Sequence, residues 1–148
     1  IPDWCGVKSA VAKGVATNIF KITQETSSSL TSRVAAFTVE LFLWDDISTP
    51  SQYGYSGHTQ RFSVFISNNT SGAPLVFISQ ESSGLDLRIS TTFQAPGLVT
   101  LTSSVSGDSI TFSASWSGTG TAAGSMTQQA VAYILRGAGT NGFYMDRL

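Results

Sequence analysis

From Arg33 to Trp44 the chain places Ala35, Phe37, Val39, Leu41 and Leu43 at every second position. A period of two lines these residues along one face of a β-strand, whereas a helix would scatter them. The intervening positions carry Val34, Ala36, Phe42 and Trp44, interrupted only by Thr38 and Glu40. A strand with one face in water does not read this way, because two apolar faces require cover on both sides. Tyr133–Leu135 repeats the pattern in a shorter run. In a small domain the expected source of the second cover is a partner subunit. An outer loop folded over the sheet is the alternative.

The rest of the chain obeys the same extended logic. Strand runs are read at Val15–Thr23, Thr59–Ser67, Pro74–Gln80, Leu85–Phe93, Val99–Val105, Ser109–Trp116 and Met126–Arg136. In Thr59–Ser67, Phe62, Val64 and Ile66 alternate with Arg61, Ser63 and Phe65. Leu101, Val105, Ile110, Phe112, Ala114 and Trp116 supply the apolar positions of the pair flanking Gly107-Asp108, a tight-turn signal that calls for positive φ. Turns are also marked at Asn68–Ala73 and Ala95-Pro96-Gly97. No segment long enough for a stable helix shows a helical period with caps. About eight strands at this spacing predict an all-β, antiparallel β-sandwich, jelly-roll-like in winding. The expected organisation is an N-terminal lead over residues 1–13, a sandwich over 14–136 and a C-terminal tail over 137–148.

Charge narrows the classes of partner. Asp, Glu, Lys and Arg make up 11% of the 148 residues, and the net charge is −1, whereas soluble domains carry about 25% charged residues. The basic residues form no cluster, which argues against nucleic acid, since phosphate recognition needs a concentrated Lys/Arg footprint. No apolar run approaches the length of a membrane helix, and membrane insertion is not expected. Ser and Thr supply roughly a quarter of the chain, a composition that suits strand surfaces and adhesive extracellular proteins. The single cysteine, Cys5, has no partner in the chain for a disulfide and no second thiol for a zinc site. It is read as a buried or tolerated thiol. The chain opens on Ile1, which is read as a processed product or an excised fragment.

Catalytic candidates are few. A Ser/His/Asp arrangement needs a base within reach of a nucleophile, and nothing local supports that for the only histidine, His58. His58 is instead expected at the surface or in an interface. Asp45 and Asp46 are adjacent, so as neighbours in an extended segment they diverge rather than face one another across a cleft. A calcium site would need further oxygens from Ser48, Thr49 or carbonyls, and a polar strand-end turn is preferred. No metal or other cofactor is expected. Binding fits the residues better. Sugars are held by an aromatic face with Asp, Asn or Arg beside it, and the candidate set is Trp44, Asp45, Asp46, Tyr53, Tyr55, His58 and Arg61. The candidate oligomer interface comprises Val34, Phe42, Trp44, Tyr133, Leu135, Phe143 and Tyr144.

The opening Lys13-Gly14-Val15-Ala16-Thr17-Asn18-Ile19-Phe20-Lys21-Ile22-Thr23 resembles the start of the C-terminal domains of bacteriophage tailspikes and tail fibres. The order of segments after Thr23 is similar to that group as well: a long apolar strand, Ser/Thr-rich hairpins, the ribbon Val105-Ser106-Gly107-Asp108-Ser109-Ile110-Thr111-Phe112, and a final Ala130-Val131-Ala132-Tyr133-Ile134-Leu135 strand. The similarity spans roughly Gly14 to Arg136 and carries no invariant chemistry. It implies a homotrimer at the tail of a virion, outside the host cell, that trimerises the spike and binds bacterial surface glycan. The depolymerase activity of such a spike would lie in a β-helix upstream, so this segment itself is expected to be non-catalytic. The competing readings are a stand-alone lectin or carbohydrate-binding module of a secreted protein, a small polysaccharide-degrading enzyme, and a trimeric ligand of the C1q/tumour-necrosis-factor type.

Overall fold

The computed structural model describes residues 4–26, 33–44, 56–68, 72–81, 84–88, 98–117 and 128–148. Among these residues there are ten strands: β1 (Trp4–Ala12), β2 (Thr17–Gln24), β3 (Arg33–Trp44), β4 (Ser56–Asn68), β5 (Leu75–Gln80), β6 (Leu85–Arg88), β7 (Leu98–Ser106), β8 (Ser109–Ser117), β9 (Gln128–Asn141) and β10 (Phe143–Arg147). They form two antiparallel sheets. One runs β1-β9-β3-β4-β5, with β6 also paired to β4, and the other runs β10-β2-β8-β7. Early strands pair with late ones, β1 with β9 and β2 with β8 and β10, which gives the sandwich its jelly-roll-like winding.

Strand β3 sits at the centre of the larger sheet, and its alternation is realised fully. Arg33, Ala35, Phe37, Val39, Leu41 and Leu43 are buried, while the residues between them are partly exposed. In register with this stripe, Ile66, Val64 and Phe62 of β4 lie on one side and Leu135, Tyr133 and Val131 of β9 on the other. The smaller sheet answers with Phe20 and Ile22 of β2 and Ile110, Phe112, Ala114 and Trp116 of β8. A register shift between Asn18 and Phe20 lets both Ile19 and Phe20 be buried, although they are neighbours in sequence. Phe20 and Phe112 stack at 4.7 Å within their sheet and meet Phe37 and Tyr133 of the other sheet.

Two segments depart from the expected organisation. The predicted lead contains β1, whose residues pair with β9, and the Trp116 indole donates to the Val11 carbonyl at 2.8 Å from across the sandwich. The predicted tail completes β9 and adds β10, which pairs with β2. Between them Gly142, at φ 82°, turns the chain from one sheet to the other through a conformation costly for any side chain. Their apolar residues, Trp4, Cys5, Val7, Ala10, Val11 and Ala12 in β1 and Phe143, Tyr144 and Met145 in β10, follow no strict alternation, so periodicity alone does not mark them. Val105 also differs from expectation, being exposed near the end of the β7–β8 hairpin rather than in the core. At the same end, Gln24 donates to the Gly72 carbonyl and to Asp108, while Asn68 donates to Gln24, which joins the turns of the two sheets.

Phe112→Ala should cost about 3–5 kcal/mol, because it removes a ring that contacts both sheets. Val105→Ala should cost less than about 0.5 kcal/mol. Urea midpoints at unchanged slope measure both, and comparable losses would contradict the assignment of the core.

Candidate functional site on the outer face of the larger sheet

The two outer faces of the sandwich differ in chemistry. On the smaller sheet Asn18, Lys21, Thr23, Thr100, Thr102, Thr111, Ser113 and Ser115 point outward. Their hydroxyls bond across the strands, as Ser113 does to Asn18 at 2.9 Å and Thr100 with Ser115 at 2.7 Å. Such a surface is well served by water. The outer face of the larger sheet is not. Across paired strands, Cys5 lies opposite Ile134, Val7 opposite Ala132, and Ala132 opposite Phe42. Val7 is 61% exposed, and Ile134 and Cys5 are exposed as well. Beside them Phe42 stacks on Trp44 at 5.5 Å. The Phe42 ring lies so close over Gly57 that a Cβ there would stand 2.7 Å from it, so the glycine is what lets the ring lie flat on the sheet.

A charged belt divides this face. Arg61 bridges Glu40 at 3.2 Å and Glu81 at 3.8 Å, and the Ser63 hydroxyl donates to Glu81 at 2.6 Å. Beyond the belt the face turns apolar again, with Phe65 opposite Phe77, Ser67 opposite Leu75, and Val34 and Ala36 alongside. Phe65, Phe77 and Leu75 are all exposed.

The candidate glycan residues are therefore dispersed. Asp45, Asp46, Tyr53 and Tyr55 lie outside the described residues. His58 is 1% exposed, with Gly84 packed against its imidazole, so it is a core histidine rather than the surface or interface group expected. It lies on the inward side of β4, a side that the Gly-rich loop before it does not reveal. Trp44 and Arg61 do share the outer face, but Arg61 is in register with Glu40, four residues along β3. That is about 13 Å of strand, too far for both to hold one sugar ring.

Of the candidate interface residues, Val34, Phe42 and Trp44 lie partly exposed on the apolar outer face. Tyr133 and Leu135 point into the core, and the outward residue between them is Ile134. Phe143 is likewise buried, and Tyr144 is exposed on the outer side of the smaller sheet. Period two explains the correction: in an apolar run of three, the middle residue faces opposite to its neighbours. Val7, Phe65 and Phe77 belong to the face without having been candidates. Phe65 stands in plain view as a large aromatic in the polar register of its strand. Among the described residues no three His, Cys, Asp or Glu side chains gather as a metal site would require, and no helix is long and apolar enough to cross a membrane.

No protein-family model matches the chain, and no curated protein matches it in sequence. Two solved structures are similar to the chain, the first of them at the level of a shared fold. The tailspike protein of Acinetobacter baumannii phage AM24 superposes with a TM-score of 0.50 at 12% identity, over 97% of this chain and 28% of that one. The tailspike protein of Acinetobacter phage vB_ApiP_P1 gives 0.46 at 8% identity, over 99% of this chain and 22% of that one. The chain thus spans less than a third of the length of either protein. A likeness at this identity establishes a shared fold, a β-sandwich of the kind found in a phage tailspike.

Arg61→Ala should change stability by no more than about 1 kcal/mol, since both of its ion pairs lie at the surface. Denaturation in low and high salt measures it. A loss several times larger would mean that the belt is buried in the working protein.

Proposed function

We propose that the chain is a non-catalytic module of a phage tailspike-type appendage, its C-terminal β-sandwich, which assembles as a homotrimer and attaches to bacterial surface polysaccharide. The observation that carries this reading is the asymmetry of the two outer faces. A domain that covers one sheet with hydroxyls has the residue types to cover the other, yet sets Val7, Ile134, Phe42 and Trp44 side by side on it. Removing such a surface from water is favourable by about 25 cal/mol for each Å² of apolar area, and a second copy of the chain supplies the cover. Support for the tailspike setting comes from the fold shared with the phage AM24 tailspike over nearly the whole chain and from the segment Lys13–Thr23. The count of three, the C-terminal placement and the virion location rest on that resemblance.

Catalysis fits the face poorly. Glu40 and Glu81 are both engaged by Arg61 on an open sheet, where water has free access to them, and His58 is enclosed in the core. A paired-carboxylate hydrolase needs a cleft between its acids. Any depolymerase activity of the parent spike is assigned to a region upstream.

Light scattering over a dilution series should give three times 15.6 kDa. The pair Val7→Asp and Ile134→Asp should lower that mass while leaving the far-ultraviolet spectrum unchanged, because both side chains point away from the core. A mass of 15.6 kDa at every concentration would contradict assembly and favour a stand-alone lectin module.

A further inference from the structure

Across the charged belt from the residues assigned to assembly, the same face sinks into a depression of about 450 Å³. That volume lies within the range of about 300–1,000 Å³ typical of small-molecule sites. Its outward-facing walls are Ala36, Thr38, Ser63, Phe65, Phe77 and Ser79. Phe65 and Phe77 face each other in register and are 44% and 64% exposed. With about 150–250 Å² buried by each aromatic, these two rings have roughly 200 Å² left to cover. A stable subunit contact takes about 800 Å² from each partner. In volume and in the area of its two rings, the hollow is matched to something the size of a sugar residue.

The chemistry of the walls narrows the ligand. Most of the lining is apolar, which leaves a fully hydroxylated hexose with few partners and favours a ring that carries a methyl group. The polar contribution is a row of hydroxyls, Thr38, Ser63 and Ser79, in register across three strands. The Ser63 proton is already given to Glu81, so its oxygen is left to accept, as an amide N–H requires. Around the hollow Arg61 and Arg136 balance Glu40 and Glu81. Arg136 is in register with Thr38, and the balance leaves no net charge to draw an acidic sugar. We infer that this hollow is a subsite for a neutral, acetamido-bearing sugar. The sugar ring lies against Phe77, the acetyl methyl sits between Phe65 and Ala36, and the amide N–H bonds to Ser63. This inference rests on the reading that the chain attaches to polysaccharide, and it gives that reading a place and a ligand class.

The test is an NMR titration of the assembled protein with N-acetylglucosamine, N-acetylgalactosamine, glucose and glucuronic acid. The acetamido sugars should shift amides of β4 and β5 and bind at least about fivefold more tightly than the other two. Phe77→Ala should weaken that binding about tenfold, and Ser63→Ala should bring the acetamido sugars down to the level of glucose. Both side chains are on the surface, so the amide spectrum reports whether either variant has unfolded. Tight binding that survives both substitutions overturns the hollow as the site and leaves polysaccharide attachment standing. No binding of either acetamido sugar, with the assembled mass intact, overturns the hollow as their subsite and leaves attachment through other sugars standing. A fall in mass for Phe77→Ala would make the hollow a subunit contact and overturn the inference.

Discussion

The contact of Phe20 and Phe112 with Phe37 and Tyr133 decides which side of nearly every strand is inside. Side chains alternate along a strand, so once Phe37 faces the smaller sheet, Ala36 and Thr38 must face away from it, and their cross-strand neighbours do the same. The outward display of Phe65, Phe77, Val7 and Ile134 is thus a consequence of core register rather than of local chance. A slip of one residue in β3 would bury Glu40 and expose Leu41, which makes alternative registers costly.

That constraint is also why the two outer faces can be compared directly. Both are set by the same alternation, on sheets packed against one core, yet one displays hydroxyls and the other rings and aliphatic chains. The hydroxyl face bonds to itself and to water. The apolar face is cut by a belt in which Arg61 holds Glu40 and Glu81, and this leaves two unlike surfaces. One, formed around Phe42, Trp44, Val7 and Ile134, is the surface proposed for assembly. The other, concave beside Phe65 and Phe77, is the proposed sugar subsite.

Much of the architecture is legible in the sequence because the inner stripes are strict. Ala35 to Leu43, Phe62 to Ile66 and Ile110 to Trp116 all prove buried at alternate positions. β1 and β10 are not legible, since their apolar residues fall at consecutive or irregular positions that mark no single face, and each depends on its partner strand for definition. The candidate sites are harder still. A set of aromatic and charged residues near one loop says nothing of which side each faces, and His58 and Arg61, three residues apart in β4, lie on opposite faces. The outward Phe65 is a usable signal, because a large aromatic in a polar register has no packing reason to be there. The value of Ser63 as an acceptor, by contrast, depends on its bond to Glu81, a tertiary fact invisible in the chain.

If the apolar half of the larger sheet's outer face is covered in the working protein, as assembly requires, the chain carries its own reporter of that cover. Cys5, the single cysteine, is exposed on β1 opposite Ile134. The rate of its reaction with a maleimide can be compared between the native protein and the chain unfolded in urea. Covered by a neighbouring subunit, the native thiol should react at least about tenfold more slowly, since access governs thiol reactivity at equal pH. Equal rates in the two states would place this face in open water and contradict assembly through it.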